Sequence, residues 1–199
     1  RNNEDFGKAA AAYDQAIALL NPPTKDNWRV FYFDGISYER QNQWDKAEKQ
    51  FRKALELSPD EAMVLNYLGY SMVDKKINLQ EALGMIKKAV DLKPNDGYIV
   101  DSLAWAYYQL GDYEQALVNA ERAVDLLPAD PTIGEHLGDV YWKVGRRLEA
   151  KFQWQHSKDN KPEPADLKRI EDKLANGLPE EAPVKPEQNA APSQPASGG

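Results

Sequence analysis

Residues 111–128 read GDYEQALVNAERAVDLLP, with small and apolar residues at Ala116, Ala120, Ala123, Val124 and Leu127. Steps of three and four place these side chains on one stripe of a helix, with the polar residues on its other faces. The pattern predicts an amphipathic helix that buries one side. Nearly the same stretch occurs earlier as QWDKAEKQFRKALELSP at 43–59, and again as NLQEALGMIKKAVDLKP at 78–94 and GRRLEAKFQWQHSKDNKP at 145–162. A chain that repeats one amphipathic unit in this way builds its structure by stacking copies.

The period is set by Pro59, Pro94, Pro128 and Pro162, spaced by 35, 34 and 34 residues. Small residues keep step at Ala47, Ala82, Ala116 and Ala150, and in the preceding stretch at Gly35, Gly69, Ala104 and Gly138. A bulky residue follows the first of these series by four, as Phe51, Ile86 and Trp154, with Ala120 as the exception. The reading is a pair of antiparallel helices per unit, A and B, whose backbones approach where the small residues meet. Tyr38, Tyr107 and Tyr141 fill the space beside the crossing. Proline ends each B helix, because its ring and missing N–H cannot continue the hydrogen-bond ladder.

This arrangement of aromatic, Gly, Ala and Pro positions resembles the tetratricopeptide repeat. The resemblance implies an all-α fold, an α-solenoid of antiparallel helix pairs, with repeats at 28–61, 62–96, 97–130 and 131–164. Asp34 stands where the family usually has leucine, Arg147 where it usually has an aromatic, and the inter-helix turn of the second repeat carries one extra residue. Residues 4–23 match a B helix alone, so 1–27 is read as a partial repeat and the chain is expected to begin inside a longer array. The apolar surface around Phe6, Tyr13 and Ile17 is then expected to promote self-association. Leu167, Ile170 and Leu174 form one stripe between Pro164 and Gly177, which predicts a capping helix over 165–177. From 178 to 199 the chain is rich in Pro and Ala without periodicity and is expected to be a disordered tail.

The formal charge of −7 argues against nucleic acid as a partner, since phosphate binding needs a concentrated positive surface. The chain has no cysteine, which removes disulfides, thiolate metal sites and cysteine nucleophiles. No apolar run approaches the roughly 20 residues of a membrane span. The two histidines, His136 on a helix A and His156 on a helix B, are expected at the surface or in a groove rather than as catalytic bases. No Gly-rich loop follows a strand, and the acidic clusters lack metal-ligand spacing. The expectation is a non-enzyme with no cofactor and no metal, whose work is binding.

In the family that this chain resembles, A helices line a concave surface. Matching positions are Tyr32 and Phe33 in the first repeat, Tyr67 and Tyr70 in the second, Tyr98, Asp101, Trp105 and Tyr108 in the third, and Glu135, Asp139 and Trp142 in the fourth. Ile36, Asn66, Val73 and His136 also fall at these positions. Each aromatic here either anchors a partner or packs between neighbouring repeats; Trp105 is expected to be the central anchor. Arrays that hold chaperone C-termini use a Lys/Asn/Arg clamp, and here Tyr32, Ile36, Tyr67 and Ser102 occupy those places. Asp101, Glu135 and Asp139 are expected to repel a carboxylate and to favour basic or neutral polar groups.

The stretches DSLAWAYYQLGDYEQAL and HLGDVYWKVGRRLEAKFQWQ also resemble the last repeats of large tetratricopeptide outer-membrane lipoproteins of Gram-negative bacteria. Some members of that group are adaptors for carboxyl-terminal processing proteases. The resemblance implies a protein partner of that kind and a periplasmic, outer-membrane-associated location. Two other readings stand beside it: a cytoplasmic scaffold or co-chaperone, and a regulatory segment of an enzyme whose catalytic domain lies upstream.

Overall fold

The computed structural model describes residues 2–179. They form ten α-helices, α1 (Asn2–Ala18), α2 (Trp28–Glu39), α3 (Trp44–Leu57), α4 (Ala62–Asp74), α5 (Leu79–Leu92), α6 (Gly97–Gln109), α7 (Tyr113–Leu126), α8 (Pro131–Lys143), α9 (Arg147–Asp159) and α10 (Pro164–Asn176), with no strand among the described residues. Helices α2/α3, α4/α5, α6/α7 and α8/α9 pair as hairpins, and each pair packs on the next. The chain is an α-solenoid, with α1 laid against α2 and α10 closing the other end against α9. Of the tail expected over 178–199, residues 180–199 lie outside the described residues.

The helix crossings explain both the small-residue series and its exception. A Cβ on Gly35 would stand 2.6 Å from Phe51, one on Gly69 2.7 Å from Ile86, and one on Gly138 2.4 Å from Trp154. Glycine is needed there because a ring or branched chain from helix B lies on the helix A backbone. In the third pair the small and large roles are redistributed: Ala104 and Ala120 are both buried in one cluster. Helix A carries a methyl where helix B has given up its bulk. Ala47, Ala82, Ala116 and Ala150 have no exposed surface at all.

The turn from A to B is also built alike in each pair. A backbone N–H just past each A helix closes on a carbonyl five residues back: Gln43 on Tyr38, Ile77 on Met72, Asp112 on Tyr107 and Arg146 on Tyr141, at 2.8–3.0 Å. Such a closure needs a left-handed residue, supplied by Asn42, Lys76, Gly111 and Gly145 at φ of 55–86°. The extra residue of the second repeat adds a second left-handed position, Asn78 at φ 46°. Two of the tyrosines beside the crossings tie their A helix to the preceding B helix: Tyr38 donates to Asp14 at 2.6 Å and Tyr141 to Glu121 at 2.9 Å.

Asp34, the departure from leucine, is fully buried, and neither carboxylate oxygen makes a hydrogen bond of normal geometry. Burial, and then the charge of Asp14, push its pKa up to about 7, against a weaker pull from Gln50 and Lys46. The unfolded value is about 3.9, so the native state holds a proton that the unfolded chain has released. Stability is therefore greatest below that lower value and is lost as pH rises through about 7. Asp34→Asn is expected to add about 1–3 kcal/mol near pH 8 and little near pH 5, because it removes the buried charge. Urea unfolding at the two pH values checks this, and equal effects at both would mean that Asp34 is not the titrating group.

Candidate binding groove

Helix α4 meets α6, and α6 meets α8, whereas no comparable contact joins successive B helices. The A helices therefore run along the concave side. Between α4, α6 and the start of α8 lies a cavity of about 260 Å³, lined by Asn66, Tyr67, Tyr70, Tyr98, Asp101, Ser102, Asp130, Thr132 and Ile133. A second hollow of about 220 Å³, among Glu39, Arg40, Ser71 and Asp74, shares Tyr67 and Tyr70 with it. The two tyrosines form a ridge between the hollows. Burial, followed by the charges of Asp101 and Asp74, raises the Tyr70 pKa to about 12, so its hydroxyl stays protonated.

The expected groove residues separate into three groups. Phe33 and Tyr98 are open to solvent at 43% and 59% exposure. Tyr67, Tyr70, Trp105 and Tyr108 are half-buried, and of these Tyr67 and Tyr70 line the cavity. Tyr32 and Trp142 belong to the packing. Tyr32 is buried among Trp28, Phe33, Phe51 and Tyr67. Trp142 lies tilted on Trp154, under Gly177 and the Arg147 guanidinium, whose carbon is 4.0 Å from the ring. Arg147 thus substitutes a cation over a ring for the aromatic usual at its position.

Trp105 differs from expectation. His136 stacks on it at 4.2 Å and 13°, and Tyr108 at 4.7 Å and 6°. Two parallel rings this near one centroid must cover opposite faces, so Trp105 offers a partner only its edge. His136, expected at the surface or in a groove, sits on the A-helix side but is buried, and its Nδ1 lies 2.8 Å from Asp101. Burial opposes its cation, but Asp101, with Asp139 and Glu135, outweighs burial and raises its pKa.

The acids expected to face a ligand are already paired. Glu135 is 1% exposed and accepts two bonds of 2.6 Å from Arg169 of α10 and one of 2.6 Å from Lys173. Lys173 also donates to Asp139 at 2.6 Å, and Asp139 accepts Trp154 Nε1–H at 2.9 Å. Burial works against the Glu135 carboxylate, yet Arg169 and Lys173 hold its pKa below the usual value. For Asp139 burial wins over Lys173 and His136, and its pKa is raised. The Glu135 and Asp139 charges hold the capping helix in place, which corrects the expectation that these two set the charge of the groove; Asp101, paired with His136, still lines the cavity. Asp130 was not anticipated. It caps α8 by accepting the amides of Thr132 and Ile133 at 2.9 and 3.1 Å, and the same carboxylate lines the cavity. Its sequence signal, an aspartate directly before Pro131, reads as a helix start and nothing more.

Among the described residues no group of His, Asp and Glu is placed to hold a metal ion, and no helix is long and apolar enough to cross a membrane. Residues 105–145 match a family model described as TPR repeat, and residues 35–61 one described as tetratricopeptide repeat. The TPR repeat-containing protein PA4667 of Pseudomonas aeruginosa is 31% identical over 115 residues, 58% of this chain and 19% of that protein. The BBSome complex member BBS4 of Bos taurus is 32% identical over 108 residues, 51% of this chain and 20% of that protein. The chain thus spans about a fifth of the length of the curated relatives it matches. Equal likeness to a bacterial and a bovine protein is likeness of the repeat itself. The solved structure of Pseudomonas aeruginosa PilF superposes with a TM-score of 0.71 at 19% identity, over 87% of this chain and 77% of that one. The period, the glycine-on-ring crossings, the two family matches and the shared solenoid lead to one conclusion: this chain is an α-solenoid that carries tetratricopeptide repeats, matched by family models at residues 35–61 and 105–145.

Proposed function

We propose that the chain is a non-catalytic adaptor that holds a segment of another protein along its A-helix side. The observation that carries this reading is the cavity between α4, α6 and α8, with the exposed Tyr98 at its mouth. Aromatic side chains there can bury large area with little loss of rotamer freedom. In its finer form, the partner is a carboxyl-terminal processing protease or its substrate, and the setting is the periplasm at the outer membrane. The residues 101–117 and 136–155 support that form through their resemblance to the envelope lipoproteins.

The test is a pull-down of the purified protease by the full chain, with Tyr70→Ala and Tyr98→Ala variants whose helix content is verified by circular dichroism. Truncating a central anchor is expected to cost about 2 kcal/mol, roughly a thirtyfold loss of affinity. Tyr98→Ala is the cleaner variant, because the ring is 59% exposed and its removal leaves the core intact. Retained binding in both folded variants would place the contact on another surface. Absence of wild-type binding would remove the protease as partner.

A further inference from the structure

Three phenol rings, Tyr67, Tyr70 and Tyr98, line the cavity between α4, α6 and α8, and no lysine or arginine does. Its charged lining residues are Asp101 and Asp130. Asp101 shares its charge with His136 at 2.8 Å. Asp130 uses Oδ1 for both amides of its helix cap, and its carboxylate acts on the neighbouring Tyr98. Asp96, which caps α6 through the amides of Tyr98 and Ile99, adds a further negative charge on the same side. Both helix N-termini facing this region therefore carry an acidic cap that offsets their dipole. The volume of about 260 Å³ suits one long side chain and is too narrow for a helix about 10 Å across.

Resting on the groove reading above, we propose that this cavity is a subsite for one cationic side chain of the bound segment, arginine in preference to lysine. The tyrosine faces supply negative quadrupole, which attracts a cation most strongly when it is partly desolvated. A planar guanidinium can stack on a ring while donating to a carboxylate at its edge, which a point-like ammonium cannot do as well. An acidic side chain would meet Asp130 and Asp96 with no cation lining the pocket to receive it.

The experiment uses small probes that report on the cavity alone. Butylguanidinium, butylammonium, butyramide and butyrate are titrated into the full chain, and backbone amide shifts are followed by NMR. The expected result is movement of the Asn66, Ser102 and Thr132 amides, largest with butylguanidinium and weakened by added salt. Asp130→Asn is the decisive variant, because asparagine caps a helix about as well as aspartate but carries no charge. It should weaken the guanidinium by about fivefold, equivalent to about 1 kcal/mol, while leaving the melting temperature in place. Tyr98→Leu should weaken it too. Butyramide binding as tightly as butylguanidinium, an unaffected Asp130→Asn variant, or silence from all four probes would overturn the cationic subsite. Silence here with a successful pull-down would sink this subsite alone. Guanidinium binding without any pull-down would sustain the subsite and count against the proposed partner.

Discussion

Lys173→Met is expected to cost the array about 3 kcal/mol near pH 8, the low end for stripping one partner from a buried ion pair. The Lys173 ammonium is the shared cation of Glu135 and Asp139, two carboxylates with almost no exposed surface. Glu135 keeps Arg169 in the variant, and Asp139 keeps the Trp154 N–H and the charge of His136. With the cation gone, the Asp139 pKa, already raised by burial, rises further. The native state then retains a proton that the unfolded chain releases above about pH 4. The loss should therefore be smaller near pH 5 and grow as the pH rises. Urea unfolding at both pH values measures it, and hydrogen exchange should show α10 losing protection first. A loss below about 1 kcal/mol near pH 8 would mean that the bridge behaves as a solvated surface pair.

Trp154→Ala is expected to be the most damaging single truncation, at about 3–5 kcal/mol. Trp154 is fully buried, and its ring lies on Gly138, where even a methyl would have no room. Its loss opens a cavity at the α8–α9 crossing and leaves Asp139 without its indole donor. The rigid backbone contact at glycine restricts relaxation, so the upper half of that range is expected. Because stability in a solenoid is nearly a sum over units and their interfaces, α10 should loosen along with α9. Chemical denaturation checks the magnitude. A cost near that of an exposed residue would contradict the packing of Trp154 on Gly138.

Much of the fold was legible because each repeat states the same rule again. A glycine in helix A, a bulky residue four past the alanine of helix B, and a terminal proline recur through the array. Even the exception was informative: Ala120 departs from the pattern where Ala104 replaces glycine, which is one compensated contact, not two irregularities. The groove was read only in outline. Tyr67, Tyr70 and Tyr98 line the cavity, but the position rule could not tell them from Tyr32, which is inside the core. Whether an aromatic at an inward position is open depends on which rings of the neighbouring repeats lie over it.

The pairing of the acids had a signal that the period itself could have supplied. Glu135 and Arg169 are 34 residues apart, as are Asp139 and Lys173, so the capping helix continues the repeat register with basic residues opposite acidic ones. Read singly, Glu135 and Asp139 look like free groove charges; read against the next unit, they are its docking sites.

By itself the sequence determined the repeating helix pair, its length and its crossing points, because these follow from local periodicity and from side-chain volume at fixed positions. Only the tertiary structure decided that Trp105 is covered on both faces, that Glu135 and Asp139 are spent on the cap, and that Asp130 turns from a helix cap into a cavity wall. Apart from Tyr108, which lies on the same helix as Trp105, those outcomes depend on distances of about 3–5 Å between helices of neighbouring units, where hydrogen bonds and ring stacking form or fail. No property of a single residue encodes such a distance; the stacking of one helix pair on the next creates it.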